Sequence, residues 1–272
     1  LFRSQNVKNQ RHFLREIFCV FKIKNKGSVW YFEITSKNSV FLKNDIGFMK
    51  TIVMKFGGAS VANPENFAHV ADIIMSRKKE YEKVVVVVSA MGDTTNDLMM
   101  LAKKVHPAPP RREVDMLLSV GERVAISLLA MALSLRGQEA ISLTGSQSGI
   151  LTSVNHSEAR ILSMKPKRIL QHLDEGKVVI VAGFQGVSSI GEITTLGRGG
   201  SDTSAVALGV CLQADKVEFF KDVDGIYSED PKIAASAVKF SLLDYPEALN
   251  VTKQGAEILH ARAIKLAEKN NL

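Results

Sequence analysis

The chain has 272 residues, 46% of them hydrophobic and 23% charged, enough to bury a substantial core as one large domain or two lobes of one. Its formal charge is +7, but residues 1–48 hold nine Lys and Arg against three Asp and Glu, so the rest is nearly neutral and gives no reason to expect nucleic acid as a partner. Two cysteines, Cys19 and Cys211, without CxxC or CxxH neighbours exclude a disulfide framework and a zinc site. No uninterrupted apolar run reaches the roughly 20 residues of a membrane span, so neither membrane nor resident metal is expected, and the expected location is the cytoplasm.

Residues 1–48 hold half of the aromatic residues, with abundant Lys and Asn and no persistent helical or strand period. They are expected to be an N-terminal extension outside the domain, which begins at Met49 and occupies 49–272. The segment is basic and acid-poor but lacks the Ser and Ala richness of a transit peptide; organellar targeting is the alternative reading. From Met49 onward, strand-length apolar runs alternate with helical periods, the pattern of an α/β domain with a mostly parallel sheet. Strands are predicted at 51–56, 84–89, 140–143, 178–182 and 216–221. Asn63 and Pro64 open a first helix that puts Phe67, Val70, Ile73 and Ile74 on one face. A longer helical region covers 114–137, ending at Gly137, and a third follows Ser201 or Asp202 as its cap. The proline-rich "HPAPPRR" reads as an exposed loop.

Four segments could carry chemistry. In "VMKFGGAS", a strand ends in Lys55 and turns through Gly57 and Gly58, bringing an ammonium and backbone amides to one point that suits a phosphate. The same pattern also describes an ordinary strand end and turn, and it is not a Walker loop. In "VVVVVSAMGDTTND", a buried strand runs into Ser89, a Gly92 turn, and Thr94, Thr95 and Asn96 at a helix start, clustering hydroxyls and amides at the sheet's carboxyl edge. "LGRGGSD" surrounds Arg198 with Gly197, Gly199 and Gly200. The glycines permit close backbone approach, Arg198 offers a fork for a carboxylate, and Asp202 can orient a lysine or hold a metal-bound phosphate. In "FFKDVDGIYSEDPK", a strand ends in Lys221 and Asp222 and continues to Tyr227 and Lys232, a layout for a nucleotide's sugar and base or for a plain hairpin.

Taken in order, "KFGGAS" (55–60), "SAMGDTTN" (89–96), "SVGER" (119–123), "VAGFQG" (181–186), "TTLGRGGSD" (194–202), "KDVDGIYSEDPK" (221–232) and "GAEILHARA" (255–263) make the chain resemble the catalytic domain of aspartokinases, within the amino acid kinase family. The resemblance covers nearly all of residues 51–270. It implies a three-layer αβα sandwich with the aspartate side in the N-terminal lobe and the ATP side in the C-terminal lobe. The implied reaction is transfer of the ATP γ-phosphoryl group, with Mg²⁺, to the β-carboxylate of L-aspartate. The product, 4-phospho-L-aspartate, opens lysine, threonine, methionine and diaminopimelate biosynthesis. By the same resemblance Lys55 contacts the phosphates, Asp202 orders the lysines, and Gly57 and Gly58 supply amides. Arg198 clamps the α-carboxylate, Glu122 takes the amino group, and Ser89 and Thr95 line that pocket. Lys221, Asp222, Tyr227 and Lys232 form the nucleotide side, and a homodimer or a partner subunit is implied.

The sequence departs from the family pattern at Glu257, where a lysine is usual, and at Ala261, where a proline is usual. It ends at "EKNNL", where an aspartokinase continues with another core strand and regulatory ACT domains, so the domain is expected to be truncated and without an ACT domain. The alternatives are a kinase for glutamate, acetylglutamate or UMP, and an inactive fragment that binds nucleotide or pairs with a full-length subunit.

Overall fold

A computed structural model describes residues 20–26, 29–35, 50–221, 225–228, 234, 236–254 and 259–272. A hairpin of β1 (Val20–Lys26) and β2 (Val29–Thr35) precedes β3 (Thr51–Phe56), α1 (Pro64–Lys78), β4 (Lys83–Val88) and α2 (Thr94–Val105). Next come α3 (Arg111–Leu118), α4 (Val120–Ser134), β5 (Ala140–Leu143), β6 (Ile150–Thr152), β7 (Ile161–Met164), α5 (Lys167–Asp174) and β8 (Val178–Ala182). The chain continues through β9 (Gln185–Ser188), β10 (Ile193–Thr195), α6 (Gly200–Cys211), β11 (Lys216–Phe220), β12 (Ile226–Tyr227), β13 (Lys239–Phe240) and β14 (Leu242–Leu243). It closes with α7 (Tyr245–Lys253) and α8 (Ala261–Lys269).

The main sheet has the order β14–β1–β2–β11–β3–β4–β8–β5. Its segment from β11 to β5 is parallel throughout. Within it β3, β4 and β8 are buried on both faces, which is why they are near-continuous apolar runs rather than alternating ones. Val53, Val85, Val87, Val179 and Val181 face a layer containing α5 to α8. Their neighbours Ile52, Met54, Val84, Val86, Val88 and Ile180 face α1 and α4. The result is the expected αβα sandwich. A smaller sheet, β10–β9–β6–β7, was not legible as strands because its members are three or four residues long.

Asn63 caps α1, its Oδ1 accepting from the Asn66 amide at 3.0 Å, with Pro64 in the first turn. The region predicted as one helix over 114–137 starts earlier and is two helices joined at Ser119. Together they make a 24-residue run, Arg111–Ser134, long and apolar enough by composition to cross a membrane. It packs instead as a core element, burying Ala125, Ile126, Leu129 and Leu133 against the sheet and α1. Residues 1–48 also differ from expectation, since 20–26 and 29–35 are strands. The stretch "VWYFEIT" is rich in β-branched and aromatic residues. Its backbone lies antiparallel to β11, with Ile34 opposite Val217, and Ile34 and Glu33 are buried.

Candidate active site

The carboxyl ends of β3 and β4 meet the N-terminus of α6 around a cleft of about 520 Å³. Lys55, Gly58, Ser89, Thr95, Glu122, Arg198 and Asp202, seven of the residues singled out in the sequence, line it together. They come from four separate segments, and only the parallel sheet brings those segments to one edge.

Lys55 is the penultimate residue of β3, with Nζ 2.8 Å from Asp202 Oδ1, and each residue is only 6% exposed. Burial pushes the Asp202 carboxyl up, but the ammoniums of Lys55 and Lys221 and the amide of His260 outweigh it and hold the group below its ordinary value. Asp202 therefore stays ionised, in the first turn of α6 where a negative charge complements the helix dipole. The amides of that first turn lack intrahelical acceptors. Gly57 lies just outside the cleft, its missing Cβ position 3.7 Å from Lys55 Nζ. Gly58 is required sterically, because a Cβ there would sit 2.9 Å from the Ala90 carbonyl oxygen and 3.1 Å from that of Gly92.

Glu122, in the first turn of α4, is buried and accepts from the Ala90 amide through Oε1 at 3.1 Å. Its Oε2 is buried without a partner. Burial raises its pKa to about 7, opposed in part by backbone amides including that of Ala90. Glu122 thus lines the cleft with one carboxylate oxygen bonded to Ala90 and the other without a partner. Arg198 is exposed and lines the same cleft.

The loop that carries Arg198 is built from the chain's end. The sequence pointed to Ser201 or Asp202 as the cap of α6; the cap is Gly199, in the left-handed region at φ +68°. His260 packs so tightly against Gly199 that a Cβ there would lie 2.1 Å from its own Cβ. Arg262 donates through Nη2 to the Arg198 carbonyl oxygen at 2.9 Å. Neither His260 nor Arg262 was picked from sequence as a site residue, because nothing in their spacing says which loop they meet. Asp115, Ser157 and Thr195 were missed as well. A signal for Asp115 existed: it falls on the face of α3 that buries Val114 and Leu118, where a carboxylate is out of place unless it is bonded.

Of the residues expected to face a nucleotide, Lys221 acts on Asp202 electrostatically. Tyr227 is half-buried in β12, with Lys239 Nζ 5.7 Å from its ring centroid, and does not line the cleft. Asp222, Lys232 and Glu257 lie outside the described residues.

A family model for the amino acid kinase family matches residues 50–272. The aspartokinase of Bacillus sp. (strain MGA3) is 51% identical over 220 residues, covering 81% of this chain and 54% of that one. Among solved structures, aspartate kinase from Synechocystis superposes with a TM-score of 0.71 at 47% identity, over 80% of this chain and 36% of that one. E. coli aspartokinase III in complex with aspartate and ADP gives 0.70 at 26% identity, over 81% and 60%. The chain spans about half the length of the curated relatives it matches. With its sheet order, its cleft and this match over four-fifths of its length, the chain belongs to the amino acid kinase family.

Proposed function

We propose that this domain transfers the γ-phosphoryl group of ATP to the β-carboxylate of L-aspartate, giving 4-phospho-L-aspartate and ADP. The observation that carries the reading is the buried Lys55–Asp202 pair lining the same cleft as Arg198 and Glu122, one of whose carboxylate oxygens has no partner. An α-amino acid with a second carboxylate matches that pattern: its α-carboxylate to Arg198, its ammonium to Glu122, its side chain towards Lys55. Relatives at about half identity carry the name aspartokinase, which supports the same substrate.

In the reaction a side-chain carboxylate oxygen forms a bond to the γ-phosphorus while the bond to the β,γ-bridging oxygen breaks and ADP leaves. The nucleophile is already an anion, so no general base is required, and the protein's task is alignment and charge neutralisation. Lys55 would stabilise charge on the transferred group, Asp202 would hold its ammonium in place, and the first-turn amides of α6 would add partial positive charge. Lys221 and, beyond the described residues, Asp222 and Lys232 belong to the proposed nucleotide side with Tyr227, and Ser89 and Thr95 to the aspartate pocket. Mg²⁺ belongs to the same proposal. Such an ion would be held mainly by phosphate and water oxygens.

A homodimer is part of the proposal too. Val120, Val124, Met131 and Leu135 are exposed along one stripe of α4 and its cap, a surface that a second copy could cover. The test of function is ADP release with aspartate, glutamate and UMP in parallel. Turnover confined to aspartate supports the reading; turnover with glutamate or UMP instead, or with none of them in a protein that melts cooperatively, overturns it.

A further inference from the structure

We propose that Asp115 is a positioning residue for amino-acid recognition: from behind the cleft wall it fixes the loop that presents Arg198. The proposal deepens the aspartate reading and rests on it for the identity of the substrate.

Asp115 is fully buried on α3 and does not line the cleft itself; its helical neighbours Val114 and Leu118 do. Its carboxylate is the meeting point of two loops distant in sequence. Oδ1 accepts from the Ser157 amide at 3.0 Å, the Ser157 hydroxyl at 3.3 Å and the Thr195 hydroxyl at 2.6 Å. Oδ2 is 3.0 Å from each of the Ser157 amide, the Thr195 amide and His156 Nδ1. Ser157 and Thr195 are the residues that form this part of the cleft wall.

The consequences reach Arg198 through short covalent and packed links. Thr195 is three residues before Arg198, and its carbonyl oxygen accepts from the Ala159 amide at 2.9 Å, so both loops are closed upon each other. Ser157 is held at φ +67°, a left-handed conformation that a serine adopts at a cost. Its carbonyl oxygen abuts Gly197, where a Cβ would come within 3.0 Å. A buried carboxylate is an expensive way to fill space, and apolar packing would serve shape alone. What it supplies here is one acceptor centre for donors on two loops, which selects a single arrangement of both.

The experiment compares Asp115→Ala, Asp115→Asn and Thr195→Val with wild type by steady-state kinetics and by tryptic cleavage at Arg198 under native conditions. Asp115→Ala should raise the KM for aspartate about tenfold or more, leave the KM for ATP within about threefold, and speed cleavage at Arg198 severalfold relative to other sites. Asn keeps one acceptor oxygen, and hydroxyls can accept from its amide, so it should recover part of both effects. Thr195→Val, which removes one donor, should fall near Asn. A simple loss of folded protein would lower the active fraction without splitting the two KM values. Unchanged aspartate KM and unchanged cleavage in folded Asp115→Ala, or in Asp115→Asn if the alanine variant does not fold, overturns the proposal. If wild type does not turn over aspartate, the substrate reading fails, and the cleavage pattern still decides the role of Asp115.

Discussion

Lys55 Nζ and Asp202 Oδ1 lie 2.8 Å apart in a site from which water is largely excluded, joining the end of a strand to the first turn of a helix. Removing one partner strands the other as an uncompensated buried charge, which is costly, whereas removing both is much less so. Lys55→Met and Asp202→Asn should each lower kcat by about 10² or more, with the aspartate KM changed far less, because the pair acts where charge develops. Both single variants should also melt earlier. The double variant Lys55→Met/Asp202→Leu should regain most of the lost melting temperature while remaining inactive. Melting curves and steady-state kinetics on the three proteins check this, and recovery of turnover in the double variant would remove Lys55 from the chemistry.

Glu122 gives a pH signature with a definite sign. Its folded-state pKa of about 7 lies above the ordinary carboxyl value because burial disfavours the charge. The ligand-free domain is therefore favoured with Glu122 neutral, and stability falls as pH rises from the ordinary carboxyl pKa through about 7. By pH 8 the loss amounts to roughly 3 kcal/mol. Glu122→Gln should then be more stable than wild type at pH 8 and no different near pH 4. Binding an α-ammonium reverses the preference, so aspartate binding below pH 7 should release a proton. Isothermal titration in buffers of different ionisation enthalpy measures that proton, and the glutamine variant should release none while binding aspartate more weakly.

The parallel core and most of the cleft were legible in the sequence for a physical reason. A strand buried on both faces is apolar nearly throughout, so 51–56 and 178–182 stand out with their ends correct to the residue, as do those of the edge strand 140–143. The residues where such strands stop, Lys55 and Ser89 among them, fall at the sheet's edge by geometry alone. The supporting shell was not legible. That Asp115 gathers Ser157 and Thr195, or that His260 presses on Gly199, depends on contacts between loops whose conformations no local period encodes. The β1–β2 hairpin was missed for a different reason: basic, Asn-rich surroundings masked a seven-residue run of good strand formers.

Gly199 tests the link between the last helix and the Arg198 loop. At φ +68° an alanine is strained, and its Cβ would overlap His260. Gly199→Ala should destabilise by about 1–2 kcal/mol from the backbone alone, with a further loss from the clash and a sharp fall in turnover. His260→Ala opens the space but leaves the backbone strain, so the double variant Gly199→Ala/His260→Ala should regain only part of the stability. Full recovery would mean that the left-handed geometry is not demanded by the fold. No recovery would mean that His260 is not the obstacle.

The N-terminal hairpin is tied to the core by more than its ladder. Arg77 Nε bonds Glu218 Oε2 at 2.8 Å. Lys216 Nζ lies 2.7 Å from Glu218 Oε1 and 3.2 Å from Glu33 Oε2, all in the interior edge of the sheet. Burial lowers the Lys216 pKa, but Glu218 and Glu33 outweigh it, and the ammonium is held above its ordinary range. Glu33 belongs to β2, so deleting residues 1–48 would take away one carboxylate, the buried Ile34 and the strand that covers β11. An uncovered β11 edge is also a template for self-association. This network sits near the start of β11, whereas Lys55 and Lys221 lie at the carboxyl ends of their strands. The deletion should accordingly lower the melting temperature by several degrees and promote aggregation, while the remaining folded protein keeps its aspartate KM at low temperature. A Lys216→Met variant of the full chain should lose stability as well, because it removes the ammonium that both Glu33 and Glu218 face. If the deleted protein melted like wild type and stayed monodisperse, the hairpin would be an ornament on the sheet rather than the cover of β11.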